Sequence, residues 1–344
     1  AVPAAVLAAA HTPVAAAAAA DEIALVAHGA ALPPELSQRI PRSDVEILTF
    51  LLAFLESEGL GMIPVFINGG YVRDLLLGRS PDDLDLSLCL RGCAEGVTVG
   101  GLLEQLPAFA TARPELGVVQ VKLATILSNA SKDKNVDTFK AHFVNTAGEK
   151  IEVDVMPTIG EEIYSDDNRI PVRDQRGTPE EDALRRDLTI GALLLKVRPS
   201  SGGLSYELLD FYDGVEDIKQ GVLRSPCPMG KTISEVRSLV LRTSSDEAMA
   251  TSLCLEEAQA LQVLWWAKIL LDDPLRICRA LRFAAKLRFR LHDAFWSAIP
   301  FAIDALRAKV AGGRKNTEYL KIAGCGFDAC ASFVGDAFGR TFGA

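Results

Sequence analysis

Apolar positions along the chain change period several times, and each change predicts an element. In "ILTFLLAFLESEGLG" they recur at helical spacing. Ser43, with Glu46 three residues on, reads as the N-cap of that helix, and glycine closes it. "MIPVFI" is short and β-prone, so a strand is expected to end near Ile67. Gly69 and Gly70 follow, then "YVRDLLLG", in which Val72, Leu75 and Leu76 share a helical face and Gly78 supplies the stop. In "PDDLDLSLCL" the period falls to two, as in a half-buried strand, and "KIEVDVMP" repeats that pattern. "EEDALRRDLTIGAL" predicts a helix that begins at Arg185, Arg186 and Asp187 and sends Leu188, Leu193 and Leu194 into a core. "DDPLRICRALRFAAKLRFR" predicts a second amphipathic helix, with Ile277, Leu281, Ala284 and Leu291 on its apolar side.

Composition adds domain organisation. With 344 residues, 49% of them apolar, the chain can build two domains or more. Its first twenty residues are alanine-rich, too weakly apolar to span a membrane and without the arginine and serine of a transit peptide, so residues 1–42 are expected to be low-complexity and disordered. The remainder divides into an α/β domain over 43–214, a helical region over 215–322 and an irregular end over 323–344. Seven cysteines without a C-x-x-C pair argue against zinc and suit a reducing, intracellular setting as core residues; cytoplasm, nucleus and mitochondrion stay open. A net charge of -9 argues against nonspecific adhesion to nucleic acid or acidic membrane, but not against a local basic track.

Candidate chemistry is concentrated in "INGGYVRDLLLGRSPDDLDL". A glycine turn leading into a helix offers N–H groups and a positive dipole end to an anion, and Arg73 adds a fork-shaped charge suited to phosphate. Asp83 and Asp85, two apart on one strand, share a face and repel unless a cation lies between them; oxygen ligands beside a phosphate-binding turn suit Mg²⁺. Asp82 falls on the opposite face. Glu152 and Asp154 share a face of "KIEVDVMP" and offer a third carboxylate.

These residues resemble the signature of the nucleotidyltransferases that comprise tRNA CCA-adding enzymes and bacterial poly(A) polymerases. Later blocks follow in the same order: "RIPVRDQRGTPEEDALRRDLTIGAL", "LLDFYDGVEDIKQGVLRSP" and "LDDPLRICRALRFAAKLRF". The G-T-P-E-E-D-A-L-R-R-D form is most similar to eukaryotic CCA-adding enzymes. The resemblance implies a polymerase β-like head with a mixed β-sheet and an all-helical neck. It implies Mg²⁺ at Asp83 and Asp85, and triphosphate at Gly69, Gly70 and Arg73. It also implies Asp154 as the third catalytic carboxylate, ribose and phosphate contacts by Asp187 with Arg185 or Arg186, and a mobile element at "RGCAEGVTVGG". The implied substrates are CTP, ATP and the tRNA 3′ end, with no membrane partner. Poly(A) addition, or an inactive RNA- or nucleotide-binding protein, are the competing functions.

Base choice without a nucleic-acid template would come from Asp273 and Arg276, three apart on one helix face. Adenine and cytosine each present an amino donor beside a ring-nitrogen acceptor, whereas uracil and guanine present a carbonyl beside an N–H. An acceptor next to a donor therefore admits A and C, with discrimination that can reach about 10⁴-fold. Asp272 is the supporting acid by resemblance. Arg279, Arg282, Lys286 and Arg290 continue the helix as a basic stripe able to track an RNA backbone. Three departures stand against the resemblance. Gly191 replaces the usual asparagine. Residues 227–270 form an insertion, either a lineage-specific helical element or sequence foreign to the mature protein, and its removal over Ser234 to Ala267 is expected to be tolerated. Beyond "GRKNTEYLK" the family's helical body and tail are not recognisable.

Overall fold

A computed structural model of the chain describes residues 28–124, 138–160, 162–165, 168–173, 176–241, 247–248, 250–251 and 257–326. They fall into two compact units. One comprises Glu22–Arg186 with Ile190–Val215, the other Asp187–Thr189 with Glu216 onward.

The first unit is built on a mixed seven-stranded sheet. Its strands are β1 (Val65–Asn68), β2 (Leu84–Leu88), β3 (Val118–Ala124), β4 (Phe139–Asn145), β5 (Lys150–Pro157), β8 (Leu194–Ser200) and β9 (Gly203–Leu209), in the order β3-β4-β5-β2-β1-β8-β9. β6 (Glu162–Ser165) and β7 (Asn168–Arg173) form a separate antiparallel pair. Only β2 and β5 run parallel within the large sheet; its other pairings are antiparallel. β1 is buried at all four positions because β2 and β8 flank it and helices cover it, which is why its sequence shows a continuous apolar run. The long helix Arg42–Ser57 buries Ile47, Leu48, Phe50, Leu51, Phe54 and Leu55. Phe50 and Phe54 both pack on Phe109, with ring centroids 5.3 Å apart in each case.

Two expectations for the N-terminal part change. Pro41, not Ser43, precedes the first helical residue, and Ser43 Oγ turns to Asp44 instead of capping a backbone N–H. Order also begins before residue 43. Leu32, Leu36 and Ile40 are buried, the turn Pro34–Ser37 is helical, and Gly29 and Leu32 donate backbone hydrogen bonds to Leu208 and Tyr206 on β9. The edge strand thus gains partners from a segment whose composition suggested disorder; residues 1–27 lie outside the described set.

The second unit is helical: Ile233–Val240, Glu257–Asp272, Leu275–Leu287, Asp293–Lys309 and Gly312–Ala323, with a two-stranded parallel ladder between Val222–Leu223 and Arg290–Leu291. The supposed insertion belongs to its core. Val236, Val240, Val263, Leu264, Trp266, Ile269 and Leu270 are buried, and Trp266 meets Phe295 edge to face at 5.2 Å. The expectation that this segment can be removed is therefore corrected, because excision would strip the fully buried Trp266 and its neighbours from that core. Residues 327–344, most of the expected irregular end, lie outside the described set. Among the described residues no helix is long and apolar enough to cross a membrane. Cys89, Cys93, Cys227, Cys278 and Cys325 are free thiols, but only Cys89 and Cys278 are core residues.

Candidate active site

Strand register assembles the acidic site. Asp85 on β2 lies directly opposite Asp154 on the parallel strand β5, and Asp154 lies opposite Lys140 on the antiparallel strand β4. Opposed residues point to the same sheet face, so one transverse row carries Asp85, Asp154 and Lys140. Asp83 sits two residues before Asp85, just outside β2 and exposed. Burial, reinforced by the charges of Asp154 and Asp83, pushes the Asp85 carboxyl up to about 6, although Arg186 and Lys140 pull it the other way. Lys140 Nζ is 3.3 Å from Asp154 Oδ1 and also pairs with Glu152, which His142 approaches at 3.6 Å. Lys140 escaped sequence reasoning because its meaning depends on a strand neighbour far along the chain.

The residues fit a hard divalent cation. Asp83 and Asp85 are oxygen donors whose mutual repulsion raises the cost of ionising Asp85, a cost that a cation removes. Among the described residues no three His, Cys, Asp or Glu side chains form a ready-made metal cage.

The glycine turn lies beside this row. The helix Gly69–Leu76 starts directly from β1, and its N-cap residue Asn68 makes no side-chain cap. Asn68 Oδ1 is already engaged by Ser87 Oγ at 2.9 Å and Arg186 Nη2 at 3.3 Å. Gly69 is required by packing, since a Cβ there would lie 1.9 Å from the Gly191 carbonyl oxygen. Gly70 is exposed and a Cβ on it would meet nothing within 4 Å, so that end of the helix is open to an anion. Arg73 is placed differently from the sequence picture. It is buried, and its fork grips the neighbouring Asp74 through 2.9 and 2.6 Å hydrogen bonds. A Cβ at Gly191 would also meet nothing within 4 Å, so packing does not demand glycine there.

Arg185 and Arg186 end a helix instead of beginning one. Thr178 and Glu181 form a capping box that starts the helix at Pro179, and Arg185 is its C-cap residue. Both arginines hold the fully buried Asp182, at 2.8 and 2.7 Å, and Asp182 also accepts from Ile159 N at 3.1 Å. Burial opposes ionisation, yet the two guanidiniums hold Asp182 down at about 2. Arg186 Nη1 donates to the Gly191 carbonyl as well, at 3.2 Å. The expected mobile stretch is fastened: Arg176 donates to the carbonyls of Leu90, Cys93, Ala94, Glu95 and Val97 at 2.8–3.1 Å, and Val99–Leu103 is helical. One guanidinium satisfies five acceptors that would otherwise need water.

The base-reading candidates lie in the helical unit. Pro274 separates the helices Glu257–Asp272 and Leu275–Leu287, so Asp273 is between them, not on a shared face with Arg276. Asp273 Oδ1 accepts from Leu275 N at 3.1 Å, and its other oxygen lies 3.7 Å from Arg314 Nη2. Arg276 Nη1 donates to the Ile269 carbonyl at 3.2 Å, and Asp272 pairs with Lys268 at 2.6 Å. Asp187 pairs with Arg279 at 2.7 Å; burial resists its ionisation, but Arg279 and Arg276 lower its pKa. The basic stripe is only partly available. Arg279 is taken by Asp187 and Arg282 by Glu318 at 2.6 Å, while Lys286 and Arg290 are exposed. Arg290 has left the helix, which stops at Arg288 in a left-handed turn (φ 58°).

Residues 65–224 match the Poly A polymerase head domain. The chain is 30% identical over 261 residues to the mitochondrial CCA tRNA nucleotidyltransferase of Candida glabrata, covering 74% of this chain and 38% of that protein. It is 29% identical to its Saccharomyces cerevisiae namesake, with 74% and 37% covered, and 27% identical to poly(A) polymerase I of Escherichia coli, with 76% and 42% covered. The chain therefore spans less than two fifths of the length of these two yeast proteins. Among solved structures, a CCA-adding enzyme in its apo form superposes with a TM-score of 0.53 at 23% identity, over 84% of this chain and 51% of that one, which establishes the shared fold.

Proposed function

We propose, from the match of residues 65–224 to the Poly A polymerase head domain, that the chain adds CMP and AMP to the 3′ end of tRNA and releases pyrophosphate. The observation that carries this reading is the row formed by Asp85 and Asp154 with Asp83 beside it, next to the open end of the Gly69–Leu76 helix. Asp83 and Asp85 would hold Mg²⁺, which when bound supplies charge to the triphosphate and lowers the pKa of an attacking hydroxyl. The first-turn N–H groups at Gly70 bind phosphate oxygens. Arg186 keeps a positive charge near Asp85 and ties the Gly191 backbone to Asn68. Asp273 and Arg276, once released from Leu275 N and the Ile269 carbonyl, would supply the acceptor and donor that admit cytosine and adenine, with Asp272 in support, and Asp187 contacts the ribose. Lys286 and Arg290, then Arg279 and Arg282 if their partners yield, neutralise RNA phosphate. Head and neck correspond to residues 43–214 and 215–322 in this reading, and the setting is intracellular.

The test supplies the chain, Mg²⁺ and all four nucleoside triphosphates to a tRNA lacking its terminal CCA, then reads product length and sequence. Addition of C, C and A supports the proposal. A run of A makes the chain a poly(A) polymerase, and ATP binding without incorporation makes it a nucleotide-binding protein.

A further inference from the structure

The transverse row contains a cation of its own. Lys140 is a third exposed, stands opposite Asp154 in the β4–β5 ladder, and places its ammonium 3.3 Å from Asp154 Oδ1. Glu152, two residues before Asp154 on β5 and opposite His142, grips the same ammonium from the outer side. Asp85 faces Asp154 from the other flank, with Asp83 and Arg186 within electrostatic reach. The three carboxylates are thus unequal. Asp83 and Asp85 have no ion pair among the described residues, whereas Asp154 already has a counter-charge.

We propose that Lys140 is a resident counter-cation that competes with a divalent metal for Asp154, holding the third carboxylate out of the metal's shell until a metal draws it away. The inference rests on the metal reading of the site given above, and assigns Lys140 as a positioning residue. Two physical points support it. The ammonium is at ion-pair distance from Asp154, so a divalent ion approaching that oxygen must meet or displace a like charge. Glu152 gives the displaced ammonium a second anchor, so the exchange does not strand a charge.

The test measures Mn²⁺ binding to the full chain by electron paramagnetic resonance at neutral pH, without nucleotide, in Lys140→Met, Lys140→Arg, Asp154→Asn and the Lys140→Met/Asp154→Asn double variant. Removing one partly exposed positive charge should tighten Mn²⁺ binding about three- to tenfold in Lys140→Met, after allowance for solvent screening. Lys140→Arg keeps the charge and should stay within about twofold of the parent. The gain should vanish when Lys140→Met is made in the Asp154→Asn background, since the competition is for that carboxylate. Unchanged affinity in Lys140→Met overturns the proposal. So does a gain that persists without the Asp154 charge, because Lys140 would then act only through the general field at Asp83 and Asp85. If neither parent nor Lys140→Met binds Mn²⁺, the metal reading falls with it, whereas parental binding with an unaltered Lys140→Met removes Lys140 alone. Circular-dichroism melts of all four variants show whether each remains folded.

Discussion

The sheet of the α/β unit and the helix pair of the other unit both place acidic and basic groups near one another, but by different means. In the sheet, backbone pairing dictates which side chains meet: Asp85, Asp154 and Lys140 are neighbours because the β2–β5 and β4–β5 registers leave no choice. In the helical unit, spacing of three residues put Asp273 beside Arg276 only on paper. Pro274 breaks the helix between them, and each side chain then takes a local partner, Leu275 N for Asp273 and the Ile269 carbonyl for Arg276. Carboxylates on a strand face cannot escape each other, so their repulsion adds to burial, the larger cause, in raising the pKa of Asp85. Charges at a helix junction can relax into caps and ion pairs.

The largest expected break in this comparison is catalytic. Asp83→Ala and Asp85→Ala should each lower CTP incorporation by about 10³-fold or more, because the removed oxygens are proposed metal ligands. Folding should survive, since Asp83 is exposed and loss of either charge relieves repulsion. Full turnover in both variants, with circular dichroism unchanged, would remove the acidic row from the reaction.

The second break concerns stability of the helical unit. Trp266→Ala should cost about 3–5 kcal/mol by leaving a cavity against Phe295, read as a drop in melting temperature. Deleting Ser234 to Ala267 should leave that unit unfolded. A deletion variant that melts like the parent would mean that the buried segment contributes nothing to its core.

Much of the fold was legible because its signals are local. The strand, glycine turn, helix and second strand from Val65 to Leu88 follow directly from apolar period and glycine placement. Thr178-Pro179-Glu180-Glu181 also carried a readable capping box, and giving it priority would have placed Arg185 and Arg186 at a helix end. The burial of the insertion had its own signal in "LQVLWWAKIL", a run too apolar for a surface appendage. Lys140 and Arg176 were not legible. Lys140 depends on register between strands, and Arg176 on five carbonyls more than 75 residues earlier in the chain. No local pattern encodes either contact.

A smaller test concerns Asp182, the buried carboxylate that holds Arg185 and Arg186. Its folded-state pKa of about 2 lies below the ordinary 3.8, so it adds stability above about pH 4 and loses that contribution as pH falls toward 2. Asp182→Asn should therefore destabilise the protein by about 2 kcal/mol at neutral pH and flatten the acid limb of its melting temperature between pH 4 and 2. An acid limb identical to the parent's would show that the two arginines are not coupled to this group's ionisation.

The finest comparison separates capping from base reading at Asp273. Both functions use the same carboxylate: Oδ1 accepts the first N–H of the Leu275–Leu287 helix, from just before its N-cap Pro274, whereas selection against uracil and guanine would need an acceptor facing the base. Asp273→Ser can keep the backbone cap while removing the charge, and Asp273→Ala removes both. Alanine should cost about 1 kcal/mol of stability that serine largely restores. If Asp273 also reads the base, both variants should lose about 1–2 kcal/mol of discrimination, measured as kcat/KM for CTP against UTP, because neither retains the carboxylate. Recovery of the CTP:UTP ratio by serine would assign the effect to the helix start alone. A ratio unchanged in both variants would leave Asp273 as the acceptor of Leu275 N and the partner of Arg314, with base choice made elsewhere.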